Sequence, residues 1–193
     1  PDPLWSRGLG DVYKRQVDIG LIGKYVELQD SYKSILESFV HAGAENELKV
    51  NVIPIHSEEI NKSNLIELLS SLDGILVAPC FGERGIEGKI SAIQFARENN
   101  IPFLGICLGM QLFMNASLED DTECLGIISN SCRPFENHKD YPVPHMGWNK
   151  VHFNTDSKLT KNLTDGDMPT LKKACWNYQI KTLLSRLTIV YMP

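Results

Sequence analysis

From Val17 onward the apolar residues follow two alternating rhythms. Val17-Asp18-Ile19-Gly20-Leu21-Ile22 reads as a short buried strand. Tyr32, Ile35, Leu36, Phe39 and Val40 then fall at i, i+3, i+4, i+7 and i+8, the stripe of an amphipathic helix. Asp30 or Ser31 is the expected N-cap, and Gly43 stands where a C-cap belongs. Val50, Val52, Ile53 and Ile55 predict a second strand that ends near Pro54. Leu65, Leu68, Leu69 and Leu72 make another helical stripe, followed by the apolar run Ile75-Leu76-Val77-Ala78. Ile86, Ile90, Ile93 and Ala96 or Arg97 give a third helix, and Ile101 through Ile106 a fourth strand. Strands without polar alternation, separated by amphipathic helices, imply an α/β fold with an open, mostly parallel sheet covered on both faces. The crossovers should be right-handed. After Ile106 the regularity weakens. From about Cys124 to Phe153 the pattern suggests short strands and loops broken by Pro134, Pro142 and Pro144, so the sheet is expected to be irregular at its C-terminal end.

In such a sheet, ligands gather beyond the carboxyl ends of the strands. The turns after Ile22, Ala78 and Ile106 are all rich in glycine. Length and composition allow one full-sized domain: 193 residues, 42% hydrophobic and 22% charged. No apolar run approaches the roughly 20 residues that cross a bilayer, and nothing at the start has a signal-peptide shape, so no membrane partner is expected. With 19 basic against 24 acidic residues, the net charge of -5 argues against nucleic acid as the main partner. Five cysteines without a C-x-x-C pair offer neither a disulfide framework nor a zinc site, which suits a reducing cytoplasm.

The ends differ from the middle. Residues 1–16 begin on Pro1, lack periodicity and look like a non-native adaptor segment. Residues 169–193 contain Lys172, Lys173, Lys181 and Arg186 but no acidic residue, as a basic tail or a frame-shifted stretch would. Residues 17–168 are read as the domain.

Gly105-Ile106-Cys107-Leu108-Gly109 is G-x-C-x-G between a buried strand and a helix, the sulfur form of a nucleophile elbow. A nucleophile there must project from a sharp turn, so its neighbours two residues away must lack bulk. The backbone N–H that follows it can face a developing oxyanion, and a helix N-terminus favours the thiolate.

The longer string Gly105-Ile106-Cys107-Leu108-Gly109-Met110-Gln111 resembles the signature of the class I, triad-type glutamine amidotransferases. The resemblance implies a flavodoxin-like fold and a thioester route. Cys107 would attack the carboxamide of L-glutamine, Leu108 would supply an oxyanion-hole N–H, and Gln111 would contact the substrate. Three further strings resemble the glutaminase domain of the CTP synthases: Gly23-Lys24-Tyr25-Val26-Glu27-Leu28, with Asp30-Ser31-Tyr32-Lys33-Ser34 after it; Phe81 to Ile90; and Ala96 to Phe103. That likeness covers residues 17 to about 113. It puts the second oxyanion N–H in the loop at Cys80 and Phe81, and gives Gly82 to the substrate. Cys80 stands where the family has glycine; its N–H can still donate, while its side chain can crowd or strain the loop. Residues 114–168, through Val143-Pro144-His145-Met146-Gly147-Trp148-Asn149, look like the glutaminase subunit of imidazole glycerol phosphate synthase. A chimera of two related genes or one divergent gene would produce such a switch.

The resemblance also defines what is missing. The family takes its proton-relaying histidine and its orienting glutamate from an H-P-E string, and none of His41, His56, His138, His145 and His152 precedes Pro-Glu. The expectation is a glutaminase domain that is nearly inactive as written. It would serve ammonia to a synthase domain or subunit absent from this chain, and ATP and Mg would act only there. No metal is expected here. The alternatives are a histidine-pathway glutaminase and a non-catalytic remnant of the fold.

Overall fold

The computed structural model describes residues 15–79, 84–118, 121–134, 145–149, 171–175 and 178–179. They form two compact units, one ending at Gly109 and the other running from Met110 to Ile189.

The first unit is built on four parallel strands: β1 (Gln16–Gly23), β2 (Lys49–His56), β3 (Gly74–Val77) and β4 (Phe103–Gly105), in the order β2-β1-β3-β4. This is the beginning of the flavodoxin-like order. Its helices are α1 (Lys33–Glu45), α2 (Leu65–Leu69) and α3 (Ile86–Glu98). Alternation along β1 and β3 assigns each residue to a face. Leu21, Leu76 and Ala78 pack with Ile35, Leu36 and Phe39 of α1. On the opposite face Gly20 leaves room for Leu72, and Ile22, Ile75 and Val77 are buried. There α3 contacts β3, β4 and α2, burying Ala92, Ile93 and Ala96. No helix of the described residues is long and apolar enough to cross a membrane.

Three local expectations change. Strand β2 runs past Pro54 to His56. Among the described residues it is an edge strand, and a residue without an N–H is tolerated where one side of the ladder is unpaired. Neither Asp30 nor Ser31 caps α1 with its side chain. A 3₁₀ turn at Gln29–Tyr32 leads into the helix instead. Gly43 lies inside α1, where a Cβ would sit 2.7 Å from the Leu48 carbonyl oxygen. That glycine permits a close backbone approach, and Asn46 ends the helix.

The second unit is the irregular part. β5 (Met114–Ser117), β6 (Thr122–Glu123), β7 (Ile128–Pro134) and β10 (Tyr178–Gln179) form a mixed sheet in the order β10-β7-β5-β6. A register shift interrupts the β5–β7 pairing between Met114 and Ala116. β8 (His145–Asn149) pairs antiparallel with β9 (Leu171–Cys175). Met114 and Cys132 are fully buried, with Met110 and Ile128 against them. β1 begins at Gln16, the last residue of the segment set apart above, and β9 and β10 fall within residues 169–193. Residues 1–14 lie outside the described residues.

Candidate active site

Hydrogen bonds fasten the carboxyl ends of the four parallel strands to one another. The Ser57 N–H donates to the Gly23 carbonyl at 2.7 Å, and Ala78 N–H to Ile22 at 2.9 Å. Ile106 N–H donates to Val77 at 3.1 Å. Immediately beyond this last bond stands Cys107.

Cys107 has φ of 55°, in the left-handed region that a side chain rarely occupies. Strain of this kind persists only where the surroundings over-determine the backbone, and it concentrates at functional sites. Two neighbours explain how it is held. Ile106 is tied into the end of the sheet, and Gly109 is pressed onto β3. A Cβ at Gly109 would lie 2.5 Å from the Val77 carbonyl oxygen and 3.0 Å from Val77 Cγ1. The second glycine of G-x-C-x-G is thus required by contact with the neighbouring strand. Cys107 is half-buried, and its sulfur is in no disulfide. Leu108 opens the single helical turn α4 (Leu108–Gln111), which Gln111 closes. One turn gives the thiolate less dipolar support than a longer helix would.

Cys132 and Cys124 suit packing better than chemistry. Burial pushes the Cys132 thiol up to about 11, with the nearby Cys124 adding to the effect. Burial also raises the Cys124 thiol, against a smaller opposing backbone hydrogen bond from Ser117. Cys80, Phe81 and Gly82 lie outside the described residues, so the second oxyanion donor and the role of Gly82 do too.

The described histidines stand on separate elements. His41 is exposed on α1. His56 ends β2, with Nε2 3.3 Å from Oε1 of Glu27. It shares the carboxyl end of the sheet with Cys107, but β1 and β3 intervene. Three strand spacings put β2 about 14 Å from β4, beyond direct proton transfer. His145 opens β8 in the second unit, and His138 and His152 lie outside the described residues. Among the described residues no group of three or more His, Cys, Asp or Glu could hold a metal ion.

The quoted strings have structural reasons of their own. Gly23 is bare because the Tyr32 ring lies over it, and the Tyr32 hydroxyl accepts from the Lys24 N–H at 3.1 Å. Gly85, at φ 77°, is the N-cap of α3. A Cβ on Gly85 would strike the Ser57 hydroxyl, and one on Gly88 the Ser57 carbonyl oxygen. Lys89, fully buried, donates from Nζ to the Ala78 carbonyl at 2.5 Å. Lys89 lies within the string Phe81 to Ile90, in which the resemblance gives it no role. The signal was present, since Lys89 is three residues after Ile86 and four before Ile93, on the apolar stripe.

Comparison with known proteins agrees with this fold. The family model "Glutamine amidotransferase class-I" matches residues 27–171. The chain is 49% identical over 176 residues to the CTP synthase of Flavobacterium johnsoniae, covering 90% of this chain and 30% of that one. A match of that extent in 193 residues necessarily runs through residues 114–168 as well. It is 74% identical over 99 residues to the CTP synthase of Christiangramia forsetii, covering 51% of this chain and 18% of the relative. The chain therefore spans under a third of the length of these relatives. A solved structure, the Trypanosoma brucei CTPS glutaminase domain with bound acivicin, superposes with a TM-score of 0.55 at 28% identity. That superposition covers 75% of this chain and 61% of the other. A family match over most of the chain, joined to a cysteine held on a strained strand-to-helix turn, makes this chain a member of the class I glutamine amidotransferases.

Proposed function

We propose that the domain performs the glutaminase half-reaction of CTP synthesis, with Cys107 as nucleophile. The Cys107 thiolate attacks the side-chain carboxamide carbon of L-glutamine. The carbonyl electron pair moves onto oxygen, where the Leu108 N–H can receive it. Collapse of this adduct expels ammonia once the nitrogen takes a proton, leaving a thioester. Water then adds to the thioester, releasing glutamate and restoring the thiol. Gln111 contacts the substrate, and the loop at Cys80 and Phe81 supplies the second N–H, beside Gly82. The ammonia passes to a synthase portion that aminates UTP, and ATP and Mg act there. Glutamine hydrolysis itself needs neither a metal nor an organic cofactor, and the setting is cytoplasmic.

The single observation behind this reading is the backbone of Cys107, left-handed and seated between Ile106 and Gly109. The names of the relatives and of the superposed glutaminase domain support the choice of substrate.

A diazo-ketone analogue of glutamine tests it. The expected result is covalent modification of Cys107 ahead of the other four cysteines, read by peptide mapping. Modification of Cys124 or Cys175 first overturns the assignment.

A further inference from the structure

Lys89 is a fully buried lysine whose position the glutaminase chemistry leaves unexplained. Taking an ammonium out of water is costly unless polar groups replace the water. Lys89 donates to one particular acceptor, the Ala78 carbonyl, and is not without other interactions. Ala78 is the first residue beyond β3, and its N–H is already bound to Ile22. The preceding carbonyl, of Val77, receives the Ile106 N–H and bears the Gly109 backbone. The two peptide groups that flank Ala78 are therefore clamped, one by the sheet and one by α3, beside the turn that carries Cys107. Lys89 has reach because Gly85 and Gly88 seat the first turn of α3 against Ser57. A lysine four residues into the helix then points at the end of β3.

We propose that Lys89 is a positioning residue for the reaction at Cys107. Its buried Nζ fixes the Ala78 carbonyl by donating to it, and through it the end of β3 on which the Ile106–Gly109 turn is built. The inference rests on the glutaminase reading above. Lys89 does not touch the substrate. It acts by holding the backbone in the register that the adduct at Cys107 needs, where a shift of about 1 Å is worth roughly a hundredfold in rate.

The test uses the full chain and two substitutions. Lys89→Met keeps an unbranched side chain of similar length without a donor. Lys89→Gln keeps a shorter, neutral donor. Two reagents are compared at Cys107: the diazo-ketone glutamine analogue, which needs the aligned site, and iodoacetamide, which needs only an accessible thiolate. In Lys89→Met the rate with the analogue should fall at least about tenfold, as expected for misaligned oxyanion donors. Iodoacetamide should react within about twofold of the parent, since thiolate access is unchanged. Lys89→Gln should fall between the two. Parent-like analogue rates in both variants overturn the positioning role alone. Equal losses with both reagents, or loss of the fold in both variants, make Lys89 a residue of general stability and also overturn it. A parent whose Cys107 ignores the analogue overturns the glutaminase reading and this inference with it.

Discussion

Cys107 and Cys132 carry the same thiol, and their surroundings separate them. Cys107 is held in a left-handed turn by what Gly109 permits, so the glycine is the more informative residue to change. Gly109→Ala would push a methyl group to within 2.5 Å of the Val77 carbonyl oxygen. Forcing bulk into a closed contact costs about 1–3 kcal/mol. The variant should show that loss in urea unfolding, together with slower analogue labelling of Cys107. Cys132 is buried, and its thiol rises from the ordinary 9.0 to about 11. The folded state thus holds this proton more tightly than the unfolded chain. The resulting stability is complete below pH 9 and is lost as pH climbs through about 11. Urea midpoints should fall across that window. Cys132→Ala, though weaker at every pH, should fall less steeply. An identical slope would refute the burial argument.

At the scale of elements, the first turn of α3 is seated more by its glycines than by its isoleucines. Ile86 and Ile90 are half-buried, whereas Gly88 and Lys89 are fully enclosed. In an exposed helix interior, replacing glycine by alanine stabilises by about 1 kcal/mol. At Gly88 the sign should reverse, because the new Cβ would overlap the Ser57 carbonyl oxygen. Gly88→Ala should lower the thermal midpoint, and a rise would mean that α3 can slide away from Ser57. The edge position of β2 makes the matching case for a strand. Pro54 pairs in register with Leu21 without interrupting the ladder, because only one side of β2 is occupied.

For the whole molecule, the decisive feature is the order of the strands. It brings the ends of β1, β3 and β4 side by side and leaves β2, with His56, at the far edge. His56 and Glu27 form a histidine–carboxylate pair, but β1 and β3 lie between His56 and the cysteine turn. Loss of a triad member costs factors of about 10⁴ or more in comparable enzymes. Ammonia release from glutamine should therefore stay well below about 1 s⁻¹, the low end of ordinary turnover. His41→Ala and His56→Ala should leave it unchanged. A parent turning over at ordinary rates, and silenced by His56→Ala, would require the pair to reach Cys107 by another route.

The order of elements through Ile106, their parallel pairing and the elbow at Cys107 were all legible in the sequence. Each of these rests on local periodicity or on a short string whose residue types have few other uses. The helix caps were not legible. Asp30, Ser31 and Gly43 have cap chemistry, but a 3₁₀ turn and a close approach to Leu48 replaced it. The end of β2 was also misjudged, because whether proline stops a strand depends on which side of it is paired. Only the tertiary structure decided that Lys89 faces inward to the Ala78 carbonyl, and that His56 and Cys107 end up at opposite edges of one sheet. Those facts depend on contacts between residues far apart in the chain, which periodicity does not record. A residue's type and spacing determined which element it joined; the neighbours across the sheet determined what it could do there.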